Sequence, residues 1–318
     1  MAIDLSGIIA AVPTPFSTDG EVARDKLSSN IGGWNQTDLK GYLVLGSTGE
    51  FPHLTFDEKL AVLETARDAI PSGKLMLAGT GDLSTRSTLE MTRRAAEIGA
   101  DAAVVVTPFY YKRLLDEEHL TTHYLRVADH SKIPVIIYLI PQFSGVYLRP
   151  ETIASLAEHP NIVGLKESSG DMTALRDLFK TMTQSDFSVL VGAPPILKEA
   201  MSVGAHGGVL AVACIAPAAC VALERECRTA YGGRSDVLQE RLSKLSRKTT
   251  VNGVGHLKAA LDLVGYYGYL PRSPLPAPTE EEKREIENAI DESGLFEQTV
   301  DAMTWIESSE YSHLEYAD

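Results

Sequence analysis

GYLVLGSTGEFPHLTFDEKLAVLETARDAIPSGKLMLAGTGD, residues 41–82, decides the fold. It opens on a short apolar run beginning at Gly41 and breaks into the small polar turn Gly46-Ser47-Thr48-Gly49-Glu50. From Thr55 the period changes. Leu60, Leu63, Ala66, Arg67 and Ile70 form a largely apolar stripe, with Asp57 and Glu58 in the first turn, where the helix dipole favours acids. A second apolar run, KLMLAGTGD, begins at Lys74. The spacing predicts strand, helix, strand.

The same alternation extends in both directions. Further apolar segments begin at Gly7 (GIIAAVPTP), Ala102 (AAVVVTPFY), Pro134 (PVIIYLIP), Ile162 (IVGLKESS), Ser188 (SVLVGAP) and Gly207 (GGVLAVAC). Most are continuous rather than alternating, as expected for parallel strands covered on both faces. Helical stretches lie between them: STRSTLEMTRRAAEIGA, with Leu89, Ala96 and Ile98 as apolar surface and Gly99 as C-cap, then DEEHLTTHYLRVADH and DMTALRDLFKTMT. Eight strands with intervening helices predict an α/β fold, a (β/α)8 TIM barrel. A doubly wound sheet would need a Gly-rich dinucleotide turn after its first strand, and AAVPTPF offers none. Beyond the eighth strand the pattern turns helical, over Pro217–Tyr231, Ser235–Thr250, Gly255–Val264 and Thr279–Ile290. The organisation expected is barrel strands with most barrel helices over 1–216, the last barrel helix and a C-terminal helical appendage over 217–294, and an acidic tail without Lys or Arg over 295–318.

A net charge of −14 without a basic stripe excludes nucleic acid as an expected partner. No apolar stretch is long enough to span a membrane. MAIDLSGIIAAV lacks a basic n-region or an Arg-rich presequence, so a cytoplasmic protein is expected. Cys214, Cys220 and Cys227 lack zinc-ligand spacing and read as buried small hydrophobes.

Catalytic groups of such barrels sit at the C-terminal ends of strands. Lys166 is the only lysine that ends an apolar strand. Two readings are open: its stem is buried while the amine snorkels to water, or desolvation keeps an amine available for imine formation with a carbonyl. The GSTGE turn places two hydroxyls and backbone N–H groups where a carboxylate could be gripped, although such turns are often only turns. Tyr138 is either a filler or a proton relay, if a hydroxyl lies within reach. Glu50, Asp82 and Glu167 are scattered over three strand ends, so no metal site is expected.

Taken together, GSTGE, Tyr138 with Pro141, and Lys166 resemble the dihydrodipicolinate synthase / N-acetylneuraminate lyase superfamily, over about Leu5 to Ile290. GSTGEFPHLTFDEK, LAGTGDLSTRSTLEMT, GADAAVVVTPFYY and HPNIVGLKESSGD are most similar to its 4-hydroxy-2-oxoglutarate aldolase branch. The resemblance implies a class I, Schiff-base aldolase. Lys166 would form the imine, with no other cofactor, and Tyr138 would be the general acid/base. Ser47, Thr48 and Gly49 would bind the carboxylate of pyruvate, and Ser47 would link Tyr138 to a proton relay. Tyr110 would complete that relay across a subunit interface of a homotetramer, a dimer of dimers. Ser168 and Gly192 would line the pocket, with Gln142 and Phe143 beside the aldehyde.

One position departs from the superfamily. Many dihydrodipicolinate synthases carry an arginine two residues after the proline of the tyrosine loop, and here Phe143 stands there. This disfavours that activity. A second carboxylate, such as glyoxylate's, would fall to Lys112, Arg113, Gln142 or Ser168. A partly apolar aldehyde pocket is therefore expected. The alternatives are a 2-keto-3-deoxy sugar acid aldolase or dehydratase, a hydratase-aldolase for a less polar aldehyde, dihydrodipicolinate synthase itself, and a non-enzymatic barrel scaffold.

Overall fold

The computed structural model describes residues 3–184, 186–229 and 233–296. Eight parallel strands, β1 (Gly7–Ala11), β2 (Gly41–Val44), β3 (Leu75–Gly79), β4 (Ala102–Val106), β5 (Val135–Leu139), β6 (Ile162–Glu167), β7 (Ser188–Val191) and β8 (Gly207–Leu210), close into a barrel in chain order. Pairing of Gly7 with Gly207 through Ala10 with Leu210 seals it. Every strand expected from the apolar runs is present, because helices outside and side chains inside keep both faces dry.

One register detail places the site. Val135 pairs with Ile162, but Ile136 pairs with Gly164, so β6 carries one extra residue, Val163. Without that bulge Tyr138 would face Leu165; with it, Tyr138 pairs with Lys166. A one-residue slip exchanges inward and outward side chains. The bulge therefore sets lysine and tyrosine side by side on one face.

The helix Phe56–Ala69 buries Leu60, Leu63 and Ala66 and starts in a capping box of Thr55 and Glu58. The helix Thr85–Ile98 packs Leu89 and Ile98 on the core as expected, but its most buried face is a different one. Its buried face is Thr88, Met91, Thr92 and Ala95, while Leu89, Ala96 and Ile98 are half-buried. Threonine is tolerated there because its hydroxyl finds partners: Thr92 Oγ1 donates to Thr80 Oγ1 and Thr88 Oγ1 accepts from Asp82 N. Gly99 is the left-handed C-cap, as expected.

Between β5 and β6 lie two short helices, Pro141–Ser144 and Pro150–Leu156, each opened by proline. The helices Gly233–Thr249, Val254–Leu263 and Glu280–Ser293 form the C-terminal appendage. The expected acidic tail lies, beyond Phe296, outside the described residues, as does Tyr231. Cys214 and Cys220 are buried free thiols, and burial pushes Cys220 up to about 12. Among the described residues no helix is long and apolar enough to cross a membrane.

Candidate active site

A cavity of about 850 Å³ opens at the C-terminal end of the barrel. Lys166 lines it from β6, 5 % exposed, and Tyr138 from β5, 4 % exposed. The Lys166 Nζ lies 3.9 Å from the centre of the Tyr138 ring. No carboxylate among the described residues forms an ion pair with it. The Tyr138 hydroxyl is 3.3 Å from Ser47 Oγ, which joins the phenol to the turn after β2.

That turn is built by close backbone packing. Leu45 (φ 61°) and Glu50 (φ 55°) bracket it in the left-handed region, unusual for residues with side chains. Leu45 fits because its carbonyl occupies the space a side chain at residue 79 would need, and residue 79 is glycine. Gly49 N–H and Glu50 N–H donate to Gly46 O and Ser47 O. The turn's remaining donors are the N–H and hydroxyl groups of Ser47 and Thr48, and both residues line the cavity. Gly49 does not; its carbonyl accepts from Thr14 Oγ1 at 2.6 Å and its N–H is committed to the turn.

Ser168 and Gly192 close the site behind the lysine. The Gly192 N–H donates to Glu167 O at 2.6 Å. A Cβ at residue 192 would collide with Ser168 Oγ and lie 3.3 Å from Lys166 Cε, so only glycine leaves room for both side chains. Gln142 lines the cavity, but its Nε2 donates to Ser168 O at 2.7 Å and braces the loop. Phe143 lies on the rim of the same cavity, 71 % exposed. Tyr110 is not brought to the cavity. It is 70 % exposed, and its ring packs edge-on against Tyr111 at 4.9 Å.

The sequence reading missed how the appendage completes the site. Thr250 to Gly255, Leu257, Leu275 and Pro276 form one wall of the cavity. Behind them Lys258, 0 % exposed, places Nζ 2.6 Å from Glu50 Oε1 and 3.0 Å from Leu270 O. Glu50 Oε2 accepts from Arg272 N at 2.8 Å. The Arg272 guanidinium forks onto Glu58 and holds its carboxyl down at about 2. Both Lys258 and Arg272 stack over the Phe16 ring. A lysine within the apolar run VGHLKAALDLV was the available signal.

Barrel, buried lysine and phenol–hydroxyl path together define a class: a (β/α)8-barrel lyase of the class I aldolase kind. Residues 4–293 match the dihydrodipicolinate synthetase family, and the chain belongs to it. It is 33% identical over 286 residues to the 4-hydroxy-tetrahydrodipicolinate synthase of Methanothrix thermoacetophila, covering 89% of this chain and 95% of that protein. It is 36% identical over 281 residues to the enzyme of the same name from Xanthomonas axonopodis pv. citri, covering 86% and 91%. The chloride-inhibited dihydrodipicolinate synthase of Acinetobacter baumannii, solved with pyruvate, superposes with a TM-score of 0.87 at 29% identity, covering 92% of this chain and 99% of that one. The family assignment agrees with the superfamily resemblance. These relatives carry the synthase name, not that of the 4-hydroxy-2-oxoglutarate aldolase branch.

Proposed function

We propose that this enzyme makes or cleaves a 4-hydroxy-2-oxo acid, with pyruvate as one partner and an aldehyde as the other, through an imine on Lys166 and without a further cofactor. The observation that carries this is the pairing of Lys166 with Tyr138 across β5 and β6, with Ser47 3.3 Å from the phenol. In the cleavage direction the amine attacks the substrate's C2 carbonyl, and loss of water gives a protonated imine. Breaking the C3–C4 bond sends its electron pair into that imine as an enamine. The 4-hydroxyl proton passes to Tyr138, and the aldehyde leaves. Protonation of the enamine and hydrolysis return pyruvate and the free amine. Ser47 and Thr48 hold the carboxylate throughout.

Two finer readings concern the second substrate. Stretches such as HPNIVGLKESSGD favour a 4-hydroxy-2-oxoglutarate-type aldolase, and the relatives' names favour 4-hydroxy-tetrahydrodipicolinate synthase. Phe143 in the place of the arginine weighs against the synthase. A cytoplasmic homotetramer is part of the same proposal. Its support is the exposure of Tyr110, Tyr111 and Leu114 after β4 and of Phe143 after β5, large side chains that a second subunit would cover. Sedimentation showing only monomer at assay concentration would remove that part.

The chemistry is tested by incubating the enzyme with pyruvate, reducing with borohydride and mapping the adduct by mass spectrometry. A pyruvate-sized addition on Lys166, lost in Lys166→Ala, is expected. A modified protein with Lys166 untouched, or no adduct, removes the imine reading.

A further inference from the structure

We infer that the aldehyde partner is uncharged, so that the substrate is a 4-hydroxy-2-oxo acid with a single carboxylate. The inference rests on the imine reading above, concerns the remainder of the same cavity, and decides against both finer readings, whose aldehydes carry a carboxylate. Its basis is the charge of the walls. Every lysine and arginine of the chain lies among the described residues, and Lys166 is the only one lining the cavity. Its amine becomes the imine. The other formal charge on the lining, Glu50, is paired with Lys258.

The four groups to which a second carboxylate could fall do not supply a cation. Lys112 and Arg113 are outside the lining, and the Lys112 side chain lies against Gly145. One N–H of the Gln142 amide is committed to Ser168 O. That leaves its second N–H and the Ser168 hydroxyl, both neutral donors. The apolar lining of the cavity includes Ile140, Phe143, Pro194, Ile196, Val254 and Leu257. A carboxylate taken from water into these walls would lose its hydration without gaining a counter-charge. A neutral aldehyde loses far less. Its hydroxyl groups, where present, could meet Ser168, Asn252 or His53, whose Nδ1 is buried without a partner. The volume, about 850 Å³, leaves room for a carbon chain longer than glyoxylate's beside the bound pyruvate.

In the synthetic direction the enamine carbon attacks the aldehyde carbon and forms the new C–C bond. The carbonyl π pair moves to oxygen and takes the proton held by Tyr138. Water then hydrolyses the imine and frees Lys166. No step creates or needs a second charge on the aldehyde.

The test first confirms the pyruvate adduct on Lys166, then measures kcat/KM for aldol addition with two sets of aldehydes. One set is neutral (glyceraldehyde, simple aliphatic aldehydes, benzaldehyde). The other is carboxylated (glyoxylate, aspartate semialdehyde, succinate semialdehyde). The best neutral aldehyde should exceed the best carboxylated one by about tenfold or more, and Phe143→Arg should raise kcat/KM for glyoxylate by a similar factor per trapped active site. A carboxylated aldehyde equal to or better than every neutral one, with the adduct formed, overturns the inference while leaving the imine reading intact. So does a Phe143→Arg enzyme that gains nothing with glyoxylate. Absence of the adduct removes both.

Discussion

Lys166→Ala will lower retro-aldol turnover to the uncatalysed rate, and Lys166→Arg will do the same, whereas Tyr138→Phe will retain a measurable residue. The difference follows from what each group contributes. Without a primary amine there is no imine, and a C–C bond beside a bare ketone has no comparable electron sink. Arginine does not help, because its guanidinium stays protonated and cannot attack a carbonyl. Tyr138→Phe removes only the phenolic oxygen. The ring beneath the lysine amine remains, and so does the pocket. Loss of a positioned general acid/base costs about 10²- to 10⁴-fold. Ser47 touches the reaction through Tyr138, so Ser47→Ala should fall between wild type and Tyr138→Phe. Single-turnover rates and borohydride trapping separate the roles: Tyr138→Phe should trap pyruvate slowly but fully, Lys166→Ala not at all. Wild-type turnover in Lys166→Ala would end the assignment, and an unchanged rate in Tyr138→Phe would move the proton to another group.

The barrel was legible because its strands are continuous apolar runs, a pattern that burial on both faces imposes on parallel sheets. Lys166, Tyr138 and Ser47 were legible because each stands out locally: an amine, a phenol or a hydroxyl at the end of an otherwise apolar strand. Their convergence was expected from the resemblance, not from any local pattern. It depends on the extra residue in β6 near Val163, and nothing in NIVGLKE marks a bulge. Thr88 and Thr92 hid the buried face of their helix, since hydropathy counts a hydroxyl as polar whether or not it is satisfied. Tyr110 was placed by resemblance to residues at a subunit interface, and within one chain it stays at the surface. The appendage read as packing on the barrel. Its contact with the turn after β2 joins Glu50 to Lys258 and Arg272, pairs too distant in sequence for any local pattern to reveal.

That junction yields the second large effect. Lys258→Met keeps the length and apolar stem of the side chain and removes its charge, leaving the Glu50 carboxylate buried with only the Arg272 N–H as a partner. Removing one member of a buried ion pair costs about 3–5 kcal/mol, far more than an exposed pair is worth. The loss should appear as a lower denaturant midpoint at unchanged slope. Glu50→Gln should cost less. Glutamine keeps an acceptor for Arg272 N, and burial already pulls the Lys258 pKa down, with Glu50 opposing it, so the amine can shed its proton once the carboxylate is gone. The double variant Lys258→Met/Glu50→Gln should then be more stable than the sum of the two losses, because neither leaves a charge stranded. The same variants carry a functional reading. Glu50 follows directly on Ser47, Thr48 and Gly49, has a left-handed backbone, and is anchored by its carboxylate to Lys258 and Arg272 N. Loosening that anchor should raise the pyruvate concentration needed for half-maximal trapping more than it lowers the trapping rate at saturation. A loss below about 1 kcal/mol in Lys258→Met would make the pair no stronger than a surface contact. Strict additivity in the double variant would show that Glu50 and Lys258 do not act on each other at all.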